Sequence, residues 1–390
     1  MDSLSQIVLG ASVQGAVLGK YQGRKAYLYG AMLGTLPDLD VLIHYPDPIS
    51  NMTYHRGFSH SLIVLTAVGI VGALAISRYH AWRNLPLPYS TARLATAMTL
   101  ALTTHPLLDS FTVYGTQLLW PLQESLSLTP FSIASMFIID PLYTLPLLIA
   151  MIVGLIKGSK LGIFKTGVLV HCQRFAIWML VISSGYLMLS LGLKYHAQDK
   201  AEQTLAAAKI GNIARIKTMP VLPTILMWRT VAEDDQNRLV EIRGSVLDSR
   251  LPEYRYLTQY DNSQTLRANL PKASQPYAHR LDWFSGDWTG YRTQTMLDDA
   301  VEPHKQDVQL VVDDLRMMAG DTAFFSFVLA NKTAQGSPWQ SITPIDAPIV
   351  KVDGEPEVSR IELVKQGFVR VFDESVVDKD GGWILVEHHD

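Results

Sequence analysis

Six apolar stretches, at 4–19, 26–43, 61–77, 94–114, 132–156 and 175–193, follow one another in the first half of this 390-residue chain. A bilayer crossing takes about 20 apolar residues, with a lower limit near 17. The first two stretches are short or broken, the second by Pro37, which ends a helix; both are compatible with tilted or re-entrant segments. One such stretch would read as the core helix of a soluble protein. Six in succession read as a membrane bundle. Beyond about residue 195 the apolar runs give way to charged and mixed sequence. The expectation is a polytopic α-helical membrane protein. Its helical membrane domain spans 1–195, and a C-terminal extracytoplasmic α+β domain spans 196–390.

Two exclusions follow from composition. The net charge is −3, whereas binding a phosphate backbone needs clustered Lys and Arg, so no nucleic acid is expected as a partner. Cys172 is the single cysteine, which excludes an internal disulfide framework and a multi-cysteine metal site. The first stretch lacks a basic flank before it, so it is read as a segment of the mature chain and not as a cleaved leader.

The basic residues give an orientation. Lys20, Arg24 and Lys25 follow the first stretch, Arg78, Arg83 and Arg93 separate the third from the fourth, and Lys157, Lys160, Lys165 and Arg174 separate the fifth from the sixth. Cytoplasmic loops carry the Lys/Arg excess, so these three loops are expected inside and the remaining connections, with the C-terminal half, outside. Gln6, Asp40, His60, Asp109 and Asp140 each stand 14 to 18 residues from the nearest of these basic residues, or about 21–27 Å of helix. Polar groups from five segments thus reach one level in the outer part of the bilayer. Ionisable groups there are costly unless they face a partner or a wet cavity.

Three motifs populate that level: "LPDLD" (Asp38, Asp40), "HRGFSHS" (His55, Arg56, Ser59, His60) and "HPLLD" (His105, Asp109). His105 and Asp109 are spaced i, i+4 and share a helix face. Each motif alone has a plain reading: a turn aspartate, a serine helix cap at Ser59 or Ser61, a core histidine. Together they supply imidazoles and carboxylates without thiolates, a donor set for Zn, Mn or Fe(II). The expected ligands of a divalent metal are Asp38, Asp40, His60, His105 and Asp109. His55 is assigned as proton donor. Arg56 is assigned as the holder of an anionic group, with an interfacial snorkelling anchor as its alternative. Asp140 is expected beside the ligands.

The ordered set "MDSLSQIVLGA", "GTLPDLD", "HRGFSHS" and "HPLLD" resembles the YdjM-type family of inner-membrane metal-dependent hydrolases. The likeness covers the N-terminal half and implies a membrane-embedded hydrolase whose His and Asp residues bind metal. Relatives carry a histidine near the N-terminus where this chain has Gln6, a weaker ligand that is placed beside the ligand set instead. The functional expectation is hydrolysis of an ester or phosphoester of lipid or envelope material, in the inner membrane. The alternative is a transporter or a metal-binding scaffold, since buried Asp and His also line ion pathways.

In the C-terminal half, 203–217 reads as an amphipathic helix. "TILMWRTVAED" with "NRLVEIRGSVLD", "DVQLVVDDLRMM" with "DTAFFSFVLANK", and "FVRVFDESVVD" with "GWILVEHH" read as three antiparallel hairpins. "RLDWFSGDWTGY", at 280–291, concentrates aromatic residues and glycine. It reads as a structured loop, with a binding rim as the alternative. His388 and His389 read as a solvated tail.

Overall fold

The computed structural model of the protein describes residues 2–158, 166–221, 224–295, 307–333, 337–347, 369–375 and 381–386. Lys160, Lys165, His388 and His389 lie outside them. The chain divides into two compact units, one of Met1–Ile43 with His55–Gly192 and one of His44–Tyr54 with Leu193–Asp390.

The first unit is helical. It holds α1 (Ser3–Gln22) and α2 (Arg24–Thr35), and a 3-10 turn (Leu36–Leu42) where Pro37 stops α2. The short helix α3 (Pro48–Tyr54) lies in the segment belonging to the second unit. A 3-10 turn (Phe58–His60) then leads into α4 (Leu62–Trp82) and α5 (Thr91–Asp109). One turn of helix, α6 (Leu122–Ser125), precedes α7 (Pro141–Lys157) and α8 (Thr166–Ala207). Starts are capped as the sequence allows: Asp2 accepts from the Ser5 amide at 3.1 Å, and Ser61, not Ser59, caps α4. Val8, Val13, Leu108, Met136 and Leu147 form part of the core between α1, α5 and α7.

Among the described residues, α4 and α8 are the two helices long and apolar enough to cross a membrane. The six-span expectation therefore does not rest on six such helices, and the physical reason is side-chain chemistry. Helix α1 buries Ser5, Gln6, Ser12 and Gln14, and α5 carries Thr96, Thr99, Thr103, Thr104, His105 and Asp109. Helix α2 ends after 12 residues, and α7 has 17. Apolar windows in the sequence count residues that the helices turn inwards alongside these polar ones. On α4, α7 and α8, large aliphatic side chains including Val71, Leu74, Leu142, Ile156, Val181 and Leu189 point outwards.

Helices α1 and α2 approach closely because glycines meet. A Cβ on Gly10 would stand 2.3 Å from the Gly30 carbonyl oxygen, and one on Gly34 2.4 Å from the Gln6 carbonyl oxygen. Small residues at i, i+4 spacing permit such backbone contact. Gly34→Val is expected to force the helices apart and to lower stability by about 1–3 kcal/mol, the usual cost of overpacking. Gly185→Ala is the control. Its Cβ would meet nothing within 4 Å, and it is expected to be neutral or stabilising, Ala being the better helix former. Thermal melts of the two variants check this; equal melting temperatures would contradict it.

The second unit is built on antiparallel sheets. One has the order β1-β2-β3-β4 (Ile213–Pro220, Met227–Asp234, Leu239–Ser245, Glu253–Tyr256). After it come α9 (Ser263–Ala268) and α10 (Gln275–Ser285). The second sheet is formed by β5 (Thr289–Thr295), β6 (Val308–Asp314), β9 (Ser326–Lys332) and β10 (Gln340–Asp346), in the order β10-β9-β6-β5. The ribbon β7 (Met318–Ala319) and β8 (Thr322–Ala323) joins β6 to β9. The first two expected hairpins are present as β2–β3 and β6–β9. The third is not formed among the described residues: 369–372 are helical, and Ile384 makes an isolated bridge to Tyr254. The helix expected at 203–217 is also corrected. Helix α8 ends at Ala207, and Ile213 to Pro220 pair with β2 as a strand. "IARIK" fits either period over so short a run, and pairing with β2 decides it.

Sheet β1–β4 packs Ala232, Val240 and Ile242 against Ala201 and Leu205 of α8. Across its strands runs a buried triad: Arg229 pairs with Glu241, and Arg255 reaches the same carboxylate at 2.7 Å. Burial alone would raise Glu241; the two guanidiniums outweigh it and hold the carboxyl below its ordinary range.

Candidate metal centre

Four side chains from three places in the first unit converge. Asp38 comes from the 3-10 turn after α2, His60 from the turn before α4, and His105 and Asp109 from α5. One ligand atom from each lies within 4.8 Å of all the others. His60 Nε2 is 3.2 Å from His105 Nε2, 3.3 Å from Asp109 Oδ2 and 3.5 Å from Asp38 Oδ1. His105 Nε2 is 3.2 Å from Asp38 Oδ1 and 3.6 Å from Asp109 Oδ2. Pro106 does not break the shared face of α5, and the Ser110 amide bonds its carbonyl at 3.0 Å. His60, His105 and Asp109 are buried; the Asp38 side chain is 22% exposed.

The hydrogen bonds around the cluster set its chemistry. His105 Nδ1 stands 2.6 Å from the Gly34 carbonyl oxygen. A carbonyl only accepts, so Nδ1 carries the proton and Nε2 of the neutral ring is a lone pair. Ser59 Oγ donates to Asp40 Oδ2 at 2.5 Å, so it accepts from His60 Nδ1 at 2.9 Å, and His60 Nε2 is likewise a lone pair. With both rings neutral, the two imidazole lone pairs face each other and the two carboxylates across 3.2–3.6 Å. A cation shared by the four relieves that repulsion. The spacings fit one: ligands about 2.0–2.2 Å from a tetrahedral ion stand roughly 3.3–3.6 Å apart. Charge agrees as well. Asp38, Asp40 and Asp109 against Arg56 leave a net −2, which a divalent ion cancels.

Asp40 is not in this group. Its carboxylate is taken by His55 Nδ1 at 2.9 Å, the Arg56 amide at 3.1 Å and Ser59, and stands 3.9 Å from His60 Nδ1. In a 3-10 turn of three residues per turn, positions i and i+2 face different sides, so only Asp38 of the pair turns to the cluster. Gln6 Nε2 donates to Asp109 Oδ1 at 3.0 Å and to the His105 carbonyl at 3.3 Å. It orients the aspartate. Asp140, expected beside the ligands, has a different task. It caps α7 through the Leu142 and Tyr143 amides and accepts from Tyr186 at 2.8 Å.

His55 is bonded to Asp40 with its side chain 28% exposed. Arg56 is buried, its Nε 3.3 Å from Asp109 Oδ2 and its guanidinium 4.8 Å from the Tyr114 ring. It does not snorkel. Gly34, Ser59 and Tyr114 are the participants whose roles the sequence does not disclose. The spacing Gly30-xxx-Gly34 is the available signal for the first.

The fold and site define a helical unit with a buried Asp/His cluster able to hold a metal ion. The model of the YdjM inner membrane protein family matches residues 1–197, half of the chain, and the chain belongs to that family. No curated protein and no solved structure matches it.

Proposed function

We propose that the first unit is a membrane-embedded, metal-dependent hydrolase of an ester or phosphoester in lipid or envelope material. The observation that carries this reading is the pair of imidazoles whose Nδ1 atoms are both committed as donors, aiming two lone pairs at two carboxylates. Asp38, His60, His105 and Asp109 hold the ion, which an N/O donor set makes Zn, with Mn or Fe(II) also suited. Bound there, a divalent ion supplies Lewis acidity and lowers the pKa of a water. Asp38, the one partly exposed ligand, marks the side from which water and substrate arrive. His55 donates Nδ1–H to Asp40 and so holds a free Nε2 to take or return a proton. Arg56 holds an anionic group of the substrate. Exposed Leu36, Leu39, Val41, Leu42 and Ile43 around Asp38, with Phe58 beside Ser59, support an amphiphilic substrate.

The test is turnover of a panel of lipid and soluble phosphoesters by detergent-purified, metal-loaded protein. Arg56→Lys keeps the charge and loses the bidentate fork. It is expected to leave metal content unchanged and to slow hydrolysis by more than about tenfold, or 1.4 kcal/mol in the barrier. Unchanged turnover would remove Arg56 from the mechanism.

A second reading is favoured by the count of four protein ligands, since closed sites are usually structural and catalytic ones keep a position open. On that reading the ion holds the helices together without hydrolysis. Chelation would then lower the melting temperature while no substrate turned over.

The description of the family as an inner membrane protein supports an inner-membrane location. We propose several crossings, with the three basic loops cytoplasmic and the second unit outside, in accord with the Lys/Arg distribution. Reporter fusions at Gly158 and Ala206 should give opposite signals; matching signals would overturn this orientation.

A further inference from the structure

Arg56 is buried beside the metal ligands, its Nε 3.3 Å from Asp109 Oδ2. That pairing is one of charge and not of hydrogen bonding. Among the described residues, the buried Nε and Nη1 have no hydrogen-bond acceptor. Equally buried arginines elsewhere in the chain behave differently. Arg316 donates to Asp314 at 2.9 and 2.6 Å, and Arg370 donates both Nη atoms to Asp248 at 2.8 and 2.9 Å. A guanidinium kept only as a countercharge closes its fork in that way, because buried donors without a partner are costly and rare.

The fork of Arg56 is left open, yet the residue is firmly held. Its amide donates to Asp40 Oδ2 at 3.1 Å, its carbonyl accepts from the Gln117 amide at 3.1 Å, and its guanidinium lies 4.8 Å from the Tyr114 ring. Asp40, Asp109, Tyr114 and Gln117 all belong to the unit that carries the metal ligands. The backbone at Arg56 has φ +61, the left-handed region that a non-glycine residue adopts at a cost. Strain of this kind clusters at ligand clamps, where the surroundings over-determine it. A preorganised, unfilled fork at the edge of an ion site calls for an acceptor that the chain does not supply.

Shape and charge define that acceptor. A planar row of N–H donors matches two oxygens on one centre that share a negative charge. A carboxylic ester offers only a neutral carbonyl. Total charge sets the second limit. Asp38, Asp40 and Asp109 against Arg56 and a divalent ion sum to zero. A monoanion then adds one uncompensated charge and a dianion two, and uncompensated charge away from water is expensive. Of the esters considered above, the one with paired oxygens and a single charge is a phosphodiester.

We propose that the site takes a phosphodiester, its two unesterified oxygens shared between the bound ion and the Arg56 fork. This rests on the metal-dependent reading above and narrows it: carboxylic esters and phosphomonoesters are poorer ligands.

Manganese(II) in the site reports a phosphorus nucleus beside it by speeding that nucleus's relaxation. The probes are dimethyl phosphate and methyl phosphate, added to manganese-loaded, full-length protein in a phosphorus-free detergent. The pH is about 8, where methyl phosphate carries two charges. The His60→Ala, His105→Ala double variant gives the background. Phosphorus-31 relaxation of dimethyl phosphate is expected to rise above that background, and by more than that of methyl phosphate. Arg56→Lys, which keeps the charge and loses the fork, should keep its manganese and lower the effect by about tenfold, the worth of one charge-assisted hydrogen bond. If Arg56→Lys does not fold, the wild-type comparison of the two probes decides alone. No effect on dimethyl phosphate with manganese bound, an equal or larger effect on methyl phosphate, or a wild-type effect in Arg56→Lys would overturn the proposal. Turnover of carboxylic esters by the same sample would show that the hydrolase reading survives it. The expected relaxation without turnover of any substrate would uphold the phosphodiester site and sink the hydrolase reading instead. A protein that takes up no manganese(II) lacks the shared ion and overturns the proposal as well.

Discussion

His105→Ala is expected to abolish tight divalent-metal binding, a fall in affinity of more than about hundredfold. Losing one of four ligands removes a metal–nitrogen bond, and metal binding is tightly coupled to the full ligand set. His105 has two further functions. Its Nδ1 donates to the Gly34 carbonyl, and its Nε2 lies 3.2 Å from both His60 Nε2 and Asp38 Oδ1. His60→Ala and Asp109→Asn should behave alike. Asp40→Asn should lose less, about 10- to 100-fold, the usual cost of an outer partner of a metal-bound histidine. His55→Ala should keep its metal, because its ring bonds to Asp40 and not to the cluster. Metal titration of the five variants checks the order. Equal affinity in His105→Ala and His55→Ala would contradict it.

The second large effect belongs to the C-terminal unit. Glu241→Gln takes the negative charge from between Arg229 and Arg255, whose side chains are 4% and 8% exposed. Two guanidiniums then remain buried against one neutral amide, with the Leu315 carbonyl at 2.7 Å from Arg229, the Gly381 carbonyl at 3.1 Å from Arg255 and exposed Asp321 among the residual acceptors. Breaking a buried ion pair in this way costs about 3–5 kcal/mol. For a unit of this size that lowers the melting temperature by roughly 10 °C. Replacing all three residues by apolar ones of similar volume should recover most of the loss, since the penalty comes from unpaired charge. The sign with pH follows. Glu241 is held below its ordinary range by the two guanidiniums, so the triad's contribution is full above that range and is lost as the pH falls through the lowered value. A melting temperature unchanged by Glu241→Gln would contradict the assignment.

The helix-borne part of the site is legible in the sequence because helices have a fixed period. The i, i+4 spacing alone puts His105 and Asp109 on one face, and the proline inside the motif does not change that. Asp38 and Asp40 are not separable in this way, because the choice between them depends on a 3-10 turn that replaces α-helix after Pro37. Asp140 looks like a site residue by depth alone, but the same carboxylate that reaches a given depth can cap a helix, and Pro141 after it is the local sign. Gly34 is invisible as a participant since it contributes a backbone carbonyl. The hairpins β2–β3 and β6–β9 are readable from period-two runs around turns. Residues 213–217 are not, since five residues carry too little periodicity to oppose sheet pairing. The six apolar stretches do not become six long apolar helices for a related reason: apolar content does not say how many polar side chains a helix turns inwards, as α1 does with Gln6, Ser12 and Gln14.

Asp38, His60, His105 and Asp109 are proposed to bind one divalent cation together. X-ray absorption at the metal edge, with metal content measured on the same detergent-purified full-length protein, tests it most directly. About one ion per chain is expected, bound by nitrogen and oxygen at roughly 2.0–2.2 Å with two imidazoles and no sulfur, and lost from the His60→Ala, His105→Ala double variant. A wild-type protein that takes up no ion from added zinc, manganese or iron(II), or a double variant that keeps its full complement, would contradict it.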